Sequence, residues 1–278
     1  MSDTPLTYGR YLKVPELLSL QQCLSSPTHH DEPLFIVIHQ VYELWFKLML
    51  HELDSAATHL NADRVSEATR LLRRVVEILR VLVEQVSVLE TMRPQDFIGF
   101  RHHLNPASGF QSVQFREFEF LLGLKDRSLL GALRSETEEC TRLERRIAEP
   151  SLSDVVDGLL VRRGFAREPE PEPNLKGGVR EEGWRLEALR RIYDQPEAHA
   201  DLLALGEVLL DVDEQVGLWR SRHVFMVERM IGAKPGTGGS DGVGYLRTTL
   251  PKRAFPDLWR VRSYIGQAAA GPGAPRPR

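Results

Sequence analysis

The stretch PLFIVIHQVYELWFKLMLHEL, residues 33–53, decides the fold class of this 278-residue chain. Its apolar side chains return every three or four residues, which is the period of an α-helix that buries one face. Asp31 precedes the run and suits the N-cap position, and Pro33 is tolerated in the first turn of a helix. His39 and Glu43 interrupt the run, so the sequence predicts a core helix and not a membrane span.

Five further segments repeat the helical period and predict the rest of an all-α fold. The segment at residues 66–90 places apolar residues on one face and arginine and glutamate on the other. No convincing run of alternating apolar and polar residues, bounded by turn signals, predicts a strand. We therefore expect an all-α, helical-bundle domain. The predicted helices after the first are 66–90, 113–122, 152–161, 183–193 and 201–230.

Three segments break this period and suggest the domain organisation. Residues 166–178 are charged and rich in proline, which predicts a solvated, variable insert at about 162–182. Residues 236–244 hold five glycines in nine positions, which is typical of a loop. The predicted organisation is an N-terminal segment at 1–30, a helical domain at 31–266 and a disordered tail at 267–278.

Composition narrows the class of function. Lys and Arg number 36 against 39 Asp and Glu, for a net charge of −3, and this balance argues against a dedicated nucleic-acid binder. Two cysteines, Cys23 and Cys140, form neither a disulfide framework nor a CxxCH motif for covalent heme attachment. The N-terminus has no basic-then-apolar signal pattern, so we expect a cytoplasmic protein.

Two of the nine histidines stand in apolar helical surroundings. His39 lies between Phe35 and Glu43 on one helix face, and His223 follows Trp219 by one turn in the last long helix. A buried imidazole must hydrogen-bond or bind a ligand, because an unsatisfied buried polar group costs about 1–3 kcal/mol. From these residues alone, each can be a satisfied core histidine or a group that faces an apolar cofactor.

Three long blocks of sequence carry a specific resemblance. They are FIVIHQVYELW at 35–45, FIGFR at 97–101 with PASGFQSVQFR at 106–116, and RHVFMVERMIGAKPGTGGSDGVGYL at 222–246. Together they closely resemble the tryptophan 2,3-dioxygenase family, and the similarity extends over nearly the whole chain. The resemblance implies an all-helical, cytoplasmic homotetramer that holds a non-covalent b-type heme, ferrous in the active state. It also implies cleavage of the indole C2–C3 bond of L-tryptophan by O₂ to N-formylkynurenine, as in tryptophan catabolism through the kynurenine pathway.

The resemblance assigns roles to individual residues of this sequence. It makes His223 the axial ligand of the heme iron and His39 the distal group that faces the indole N–H of the substrate. Arg101 matches the arginine that holds the substrate α-carboxylate, a pairing that suits a planar guanidinium. Thr237 matches a threonine near the ammonium and carboxylate groups, and Phe35 matches the aromatic residue that packs on the indole.

Further positions follow from the same matches. Tyr8 and Tyr11 match tyrosines that the N-terminal segment contributes to a neighbouring subunit's pocket, and Ser108 matches a small hydroxyl residue near the heme edge. Phe97 stands where some members of the family have tyrosine, so a phenolic hydroxyl to the substrate is missing. The remaining substrate-binding positions implied by the FIVIH block are Ile36, Val37 and Ile38.

Two alternatives remain open beside the dioxygenase. One is a related enzyme that acts as a monooxygenase or dioxygenase on a substituted tryptophan in secondary metabolism. The other is a heme-based sensor of O₂ or tryptophan, although such a sensor would need neither Arg101 nor the GTGGS loop. Neither a nucleic acid nor a membrane is expected as a partner.

Overall fold

The computed structural model describes residues 5–132, 138–165, 182–236 and 241–266, and this part of the chain forms α-helices without any strand. The all-α prediction is therefore confirmed. The helices, in chain order, are α1 (Tyr8–Tyr11), α2 (Val14–Leu17), α3 (Glu32–Asn61), α4 (Val65–Leu89), α5 (Pro94–Arg101), α6 (Val113–Leu122), α7 (Glu138–Ala148), α8 (Leu152–Arg162), α9 (Glu182–Asp194), α10 (Ala200–Ile231), α11 (Val243–Thr248) and α12 (Pro256–Val261).

Helix α4 is the centre of the bundle, because α3 and α10 both pack along it. Its buried face repeats at helical spacing through Leu72, Val75, Leu79 and Leu82, each at most 3% exposed. The main hydrophobic core surrounds this face and also receives side chains from α6, α8, α9 and α12. A second, smaller cluster continues past Val86 at the end of α4, and it is this end of the bundle that borders the candidate site.

The start of α3 agrees with the sequence in position but differs in mechanism. Asp31 occupies the N-cap and Pro33 lies in the first turn, as predicted. However, Asp31 has helical backbone angles (φ −95°, ψ −2°) and its side chain makes no capping hydrogen bond. An N-cap side chain reaches the helix from an extended backbone, so here the carboxylate lies 2.7 Å from Nδ1 of His30 instead.

The buried carboxylate of Glu32 ties the N-terminal segment to α3. It accepts hydrogen bonds from the backbone N–H groups of Leu24 (2.6 Å) and Ser25 (3.0 Å) and from the Ser25 hydroxyl. Burial by itself would raise the pKa of Glu32, but these hydrogen bonds lower it below its ordinary value. Gln40 adds a second tie through the Leu20 carbonyl, 3.1 Å from its Nε2.

The N-terminal segment before this tie leaves large apolar side chains in solvent in a single chain. Tyr8 is 78% exposed and Tyr11 is 71% exposed. Leucines of the same segment share this exposure: Leu6, Leu12, Leu17, Leu18, Leu20 and Leu24. A run of exposed apolar side chains this dense is typical of a surface that another polypeptide covers.

Helix α3 is, among the described residues, the one helix whose length and hydropathy would allow it to cross a membrane. The core helix of a soluble protein satisfies the same criterion. In the fold α3 packs on α4, α6 and α8, and Met49, Leu53 and Ala56 on its inner face are fully buried. These contacts agree with its prediction as a core helix.

Each of the six predicted helices is present, and the structure extends several of them. The first predicted helix continues eight residues past Leu53 to Asn61. The other six helices, α1, α2, α5, α7, α11 and α12, were not predicted. Of these, α7 (EECTRLERRIA) buries only Cys140 and Leu143, a stripe too narrow to stand out from the sequence. The insert at 162–182, except its first four residues and Glu182, and the tail at 267–278 lie outside the described residues, so the domain division stays a prediction.

Two valines of α8 provide a matched test of the core. Val155 is 7% exposed within the main core, whereas Val161 is 47% exposed on the same helix. We expect Val155→Ala to lower the free energy of unfolding by about 2 kcal/mol through lost burial and a residual cavity. Val161→Ala, which has the same change in helix propensity, should change it little; chemical denaturation measures both, and equal losses would contradict this packing.

Candidate active site

A cavity of about 280 Å³ opens between α3, α5 and α10 at the end of the bundle. The end of α4 (Val86 and Leu89) and two other segments, residues 108–119 and residues 242–249, form most of the rest of its wall. Most of the lining is aromatic or aliphatic, with a small number of charged and polar groups among them. Such a lining is typical of a site that encloses a flat apolar molecule and orients it by a few polar contacts.

One face of α3 borders this cavity. Phe35, His39, Tyr42, Glu43 and Phe46 recur at steps of three and four residues, so the helical period alone aims all five to the same side. The Tyr42 hydroxyl donates to the Leu82 carbonyl at 2.9 Å, and burial raises the pKa of this tyrosine to about 12. The face therefore presents neutral aromatic groups around His39.

The hydrogen bonding of His39 fixes its tautomer. Its Nδ1 lies 2.7 Å from the Phe35 carbonyl one turn earlier, and a carbonyl oxygen only accepts, so Nδ1 carries the proton. Desolvation in the cavity lowers the pKa of His39, partly offset by this hydrogen bond and by the charge of Glu43. The neutral ring thus leaves Nε2 as a hydrogen-bond acceptor.

His223 enters the same cavity from α10. Its ring lies parallel to the indole of Trp219, with centroids 5.4 Å apart and planes 6° apart. Desolvation lowers the pKa of His223 to about 4, with a smaller contribution from His39. The imidazole is therefore neutral at pH 7, and a neutral imidazole is the form that binds a metal ion.

Glu43 joins α3 to the start of α6. Its carboxylate accepts from the Ser112 hydroxyl (2.6 Å) and from Nε2 of Gln114 (2.8 Å), and Gln114 also reaches the Glu43 carbonyl (2.9 Å). Ser112 is the N-cap of α6 and accepts from the Phe115 backbone N–H at 3.2 Å. This carboxylate is therefore committed to positioning the wall that α6 forms.

An ion-paired group of three charges borders the other part of the cavity. Glu119 accepts from Arg116 and, at 2.8 Å, from the buried Arg220, which also reaches the Thr249 carbonyl at 3.2 Å. The Arg116 guanidinium lies between two aromatic rings, 5.0 Å from the centroid of Phe110 and 5.1 Å from that of Phe115. No described residue accepts a hydrogen bond from its buried Nε, so this N–H remains available to an acceptor.

Helix α5 contributes Phe97 and Arg101 to the cavity. Phe97 stacks on Phe35, with centroids 5.7 Å apart and planes at 28°. The Arg101 guanidinium donates to the Pro235 carbonyl in the segment that leads into the glycine-rich loop. The structure thus brings six predicted site residues to one cavity, namely Phe35, His39, Phe97, Arg101, Ser108 and His223.

Other predicted site residues lie elsewhere or carry local bonds. Ser108 borders the cavity, but its hydroxyl accepts from the Phe110 N–H at 3.3 Å within its own turn. Thr237 lies outside the described residues. The remaining five, Tyr8, Tyr11, Ile36, Val37 and Ile38, are absent from the cavity wall of one chain.

The side chains of Ile36, Val37 and Ile38 point away from the cavity, because neighbouring positions of a helix are about 100° apart and the cavity face carries Phe35 and His39. Ile38 is 6% exposed in the second core cluster, and Val37 is 43% exposed on the outer surface. Substrate contact through their side chains therefore has no support from this chain. Tyr8 and Tyr11 are exposed on the N-terminal segment, where their assignment to another subunit's pocket remains a prediction.

Sequence reasoning did not single out several polar residues of the wall. Ser112 and Arg116 were part of the PASGFQSVQFR block, and Tyr245 was part of the glycine-rich block. Membership of these blocks was therefore the available signal. Glu119 and Arg220 had no such signal, because only the packing of α6 against α10 brings their opposite charges together.

A helical bundle that keeps an aromatic cavity open beside two neutral histidines has the architecture of an all-α enzyme with an internal active site. Comparison with known proteins names the family. Its description is "Tryptophan 2,3-dioxygenase", and its model matches residues 1–162 and 185–265. The chain belongs to the tryptophan 2,3-dioxygenase family and is an enzyme of that family.

Curated relatives support this membership over nearly their whole length. A tryptophan 2,3-dioxygenase of a Nocardioides species is 49% identical over 94% of this chain and 95% of its own. That of an Anaeromyxobacter species is 47% identical, over 94% and 96%. That of Myxococcus xanthus is 44% identical, over 93% and 89%.

The two N-cap serines Ser112 and Ser151 test whether Glu43 positions the cavity wall. Each accepts from a backbone N–H in the first turn of its helix and donates to a carboxylate at 2.6 Å. We expect either alanine variant to cost about 1 kcal/mol of stability. Only Ser112→Ala, which leaves the Glu43 carboxylate beside the cavity with Gln114 as its one remaining partner among the described residues, should also reduce tryptophan turnover; an equal loss in Ser151→Ala would contradict this role.

Proposed function

We propose that this enzyme cleaves the indole C2–C3 bond of L-tryptophan with O₂ and forms N-formylkynurenine at a b-type heme. The observation that carries the proposal is the meeting of His223, His39 and Arg101 at one apolar cavity. Each matches a functional residue of the family: the iron ligand, the distal histidine and the carboxylate-binding arginine. Both atoms of O₂ enter the product, one at each carbon of the cleaved bond.

The residues of the cavity fit a heme. The neutral imidazole of His223 can bind the iron, and the aromatic and aliphatic wall suits a flat macrocycle. The buried Nε of Arg116, which has no partner within the described ranges of the chain, is an independent sign, because it can donate to a carboxylate at the edge of such a group. Non-covalent binding agrees with the absence of CxxCH from the sequence. When bound, the heme supplies the redox-active ferrous iron at which O₂ reacts.

His39 orients the indole ring in this proposal. Its protonated Nδ1 is held by the Phe35 carbonyl, so its Nε2 accepts the indole N–H without changing tautomer. Phe35 and Phe97 stack on one another beside it and present apolar surface to the ring. The histidine therefore positions the substrate and does not need to remove its proton.

Arg101 binds the α-carboxylate of the amino acid. Its guanidinium at the end of α5 borders the cavity and already bonds to Pro235, at the entry to the glycine-rich loop. Carboxylate binding there would bring this loop, with Thr237 beside the ammonium group, over the substrate. A loop that covers the site excludes water from the reaction.

We further propose a cytoplasmic homotetramer without a nucleic-acid or membrane partner. The exposed apolar residues of the N-terminal segment support an assembly in which Tyr8 and Tyr11 reach a neighbouring subunit's pocket. Exposed apolar pairs seven residues apart on three long helices also support contacts between subunits. These pairs are Val37 with Leu44, Val81 with Val88, and Leu218 with Phe225.

Product mass under ¹⁸O₂ tests the reaction. The reduced, heme-loaded protein should convert L-tryptophan to a product that carries two ¹⁸O atoms, because no separate reductant takes part in turnover. A product with one ¹⁸O atom would indicate the related monooxygenase, and preference for a substituted tryptophan would change the substrate assignment. Heme binding without any turnover would indicate a sensor.

His223→Ala tests the heme ligand. Removal of the imidazole leaves the iron without its protein ligand, so we expect a protein that purifies largely without heme or with an altered Soret band. His51→Ala, at an exposed position of α3, is the control and should retain a normal heme content. An unchanged Soret spectrum in His223→Ala would contradict the assignment.

Arg101→Ala tests the carboxylate contact. Truncation of one partner of a desolvated charge pair costs about 2–5 kcal/mol, so L-tryptophan binding should weaken by about 30-fold or more. Arg101→Lys should recover little of this, because lysine lacks the two-pronged geometry. Calorimetric titration of the heme-loaded protein measures the affinities.

Two controls separate this contact from a folding defect. Tryptamine lacks the carboxylate, so its weak binding should barely change in Arg101→Ala. Arg93→Ala removes another arginine from the opposite end of α5, where Arg93 is paired with Asp96 and 77% exposed, and should leave tryptophan binding intact. Equal losses for tryptophan and tryptamine would contradict the carboxylate role of Arg101.

A further inference from the structure

Helix α5 touches the N-terminal segment at a glycine. Gly99 packs directly against the imidazole of His29: a Cβ at position 99 would lie 2.9 Å from Nε2 and 3.0 Å from Cδ2 of that ring. Carbon atoms in proteins do not approach so closely without displacement of one partner. The absence of a side chain at this position therefore lets the ring lie on the backbone of α5.

This contact lies on the side of α5 that faces away from the cavity groups. Successive residues of an α-helix are separated by about 100°, so Gly99 is about 160° from both Phe97 and Arg101. The eight-residue helix α5 is thus held between two surfaces. On one side is the cavity, and on the other side is His29, whose ring also meets the fully buried Phe100 of the second core cluster.

His29 is itself firmly placed. Its backbone N–H donates to the Ser25 hydroxyl oxygen at 2.8 Å, and Ser25 is bound by the buried carboxylate of Glu32. Its ring lies 5.5 Å from the ring of Phe100, at 48°. The ring Nδ1 also accepts from the Asp31 backbone N–H at 3.4 Å, so movement of the imidazole away from α5 costs this hydrogen bond and the contact with Phe100.

We propose that His29 and Gly99 form a positioning pair that sets the depth of α5 and so the placement of Arg101 and Phe97 against the amino-acid substrate. The inference rests on the proposed function, because the proposed function assigns Arg101 and Phe97 to the binding of the substrate. His29 does not touch the substrate in this arrangement. It acts through the helix that carries the two groups which do.

Because Gly99 and His29 lie so close together, the pair can be tested by adding a methyl group at position 99 and by removing the ring at position 29. Gly99→Ala places a methyl group inside the contact distance of His29, and either the ring or α5 must move. Alanine favours a helix over glycine, so the variant does not weaken α5 as a helix. His29→Ala removes the ring, and the double variant Gly99→Ala with His29→Ala therefore has room for the added methyl group.

We expect Gly99→Ala to raise the KM for L-tryptophan by about tenfold, which corresponds to about 1.4 kcal/mol, with a much smaller change in kcat. The double variant should return KM to within about threefold of that of His29→Ala. Tryptamine affinity should change less than L-tryptophan affinity, because the displaced Arg101 has no carboxylate to bind. Gly183→Ala, in α9 with open space around its Cβ position, is the matched control and should behave as the unmodified protein.

Two outcomes would overturn the positioning pair. One is a Gly99→Ala variant with an unchanged KM, and the other is a double variant as impaired, or as poorly folded, as Gly99→Ala alone. Calorimetric binding of L-tryptophan to all five proteins provides the same comparison without turnover. A failure of the unmodified protein to convert L-tryptophan would count against the proposed function, whereas the binding comparison would still decide the pair.

Discussion

The packing of α3 and α10 against the shared helix α4 is the constraint on which the rest of the structure depends. Because both helices lie along α4, α4 sets the spacing between them, and side chains fill this space along most of the bundle. Beyond Val86 and Leu89 the filling is incomplete, and the cavity begins. The same packing brings His39 and His223, 184 positions apart in the sequence, to one space.

An open cavity with polar groups is stable only if those groups have partners, since an unpaired buried polar group is costly. The structure meets this requirement with fixed pairs: Glu43 with Ser112, Glu119 with Arg220, and Tyr42 with the Leu82 carbonyl. Fixed pairs also hold the walls in place before any ligand arrives. Nε2 of His39, the imidazole of His223 and Nε of Arg116 are not used in these pairs, and we propose that they bind the substrate and the heme.

The N-terminal segment shows a different balance. Its inner end is firmly attached, through Glu32 and Gln40 to α3 and through His29 to α5. Its outer end leaves tyrosine and leucine side chains in solvent, where they gain nothing from burial. The inner end of the segment therefore supports α5 within one chain, and we propose that its outer end contacts a neighbouring chain.

The sequence by itself determined the all-α fold and the six helices with clear periodicity, because a helix buries one face and so imposes a period of 3.6 residues on its apolar positions. It could not determine α7, whose buried stripe consists of Cys140 and Leu143 within a charged segment. It also placed Asp31 correctly without revealing that the carboxylate makes no capping bond.

The same division holds for the candidate site. Motif blocks pointed to His39, Arg101 and His223, and the helical period already implied that Phe35 and His39 share a face. Only the tertiary structure decided that Ile38 is turned into the core and that Glu119 meets Arg220. The physical reason is that a motif records which residue types are present, whereas the direction and partner of a side chain depend on which helices pack against it.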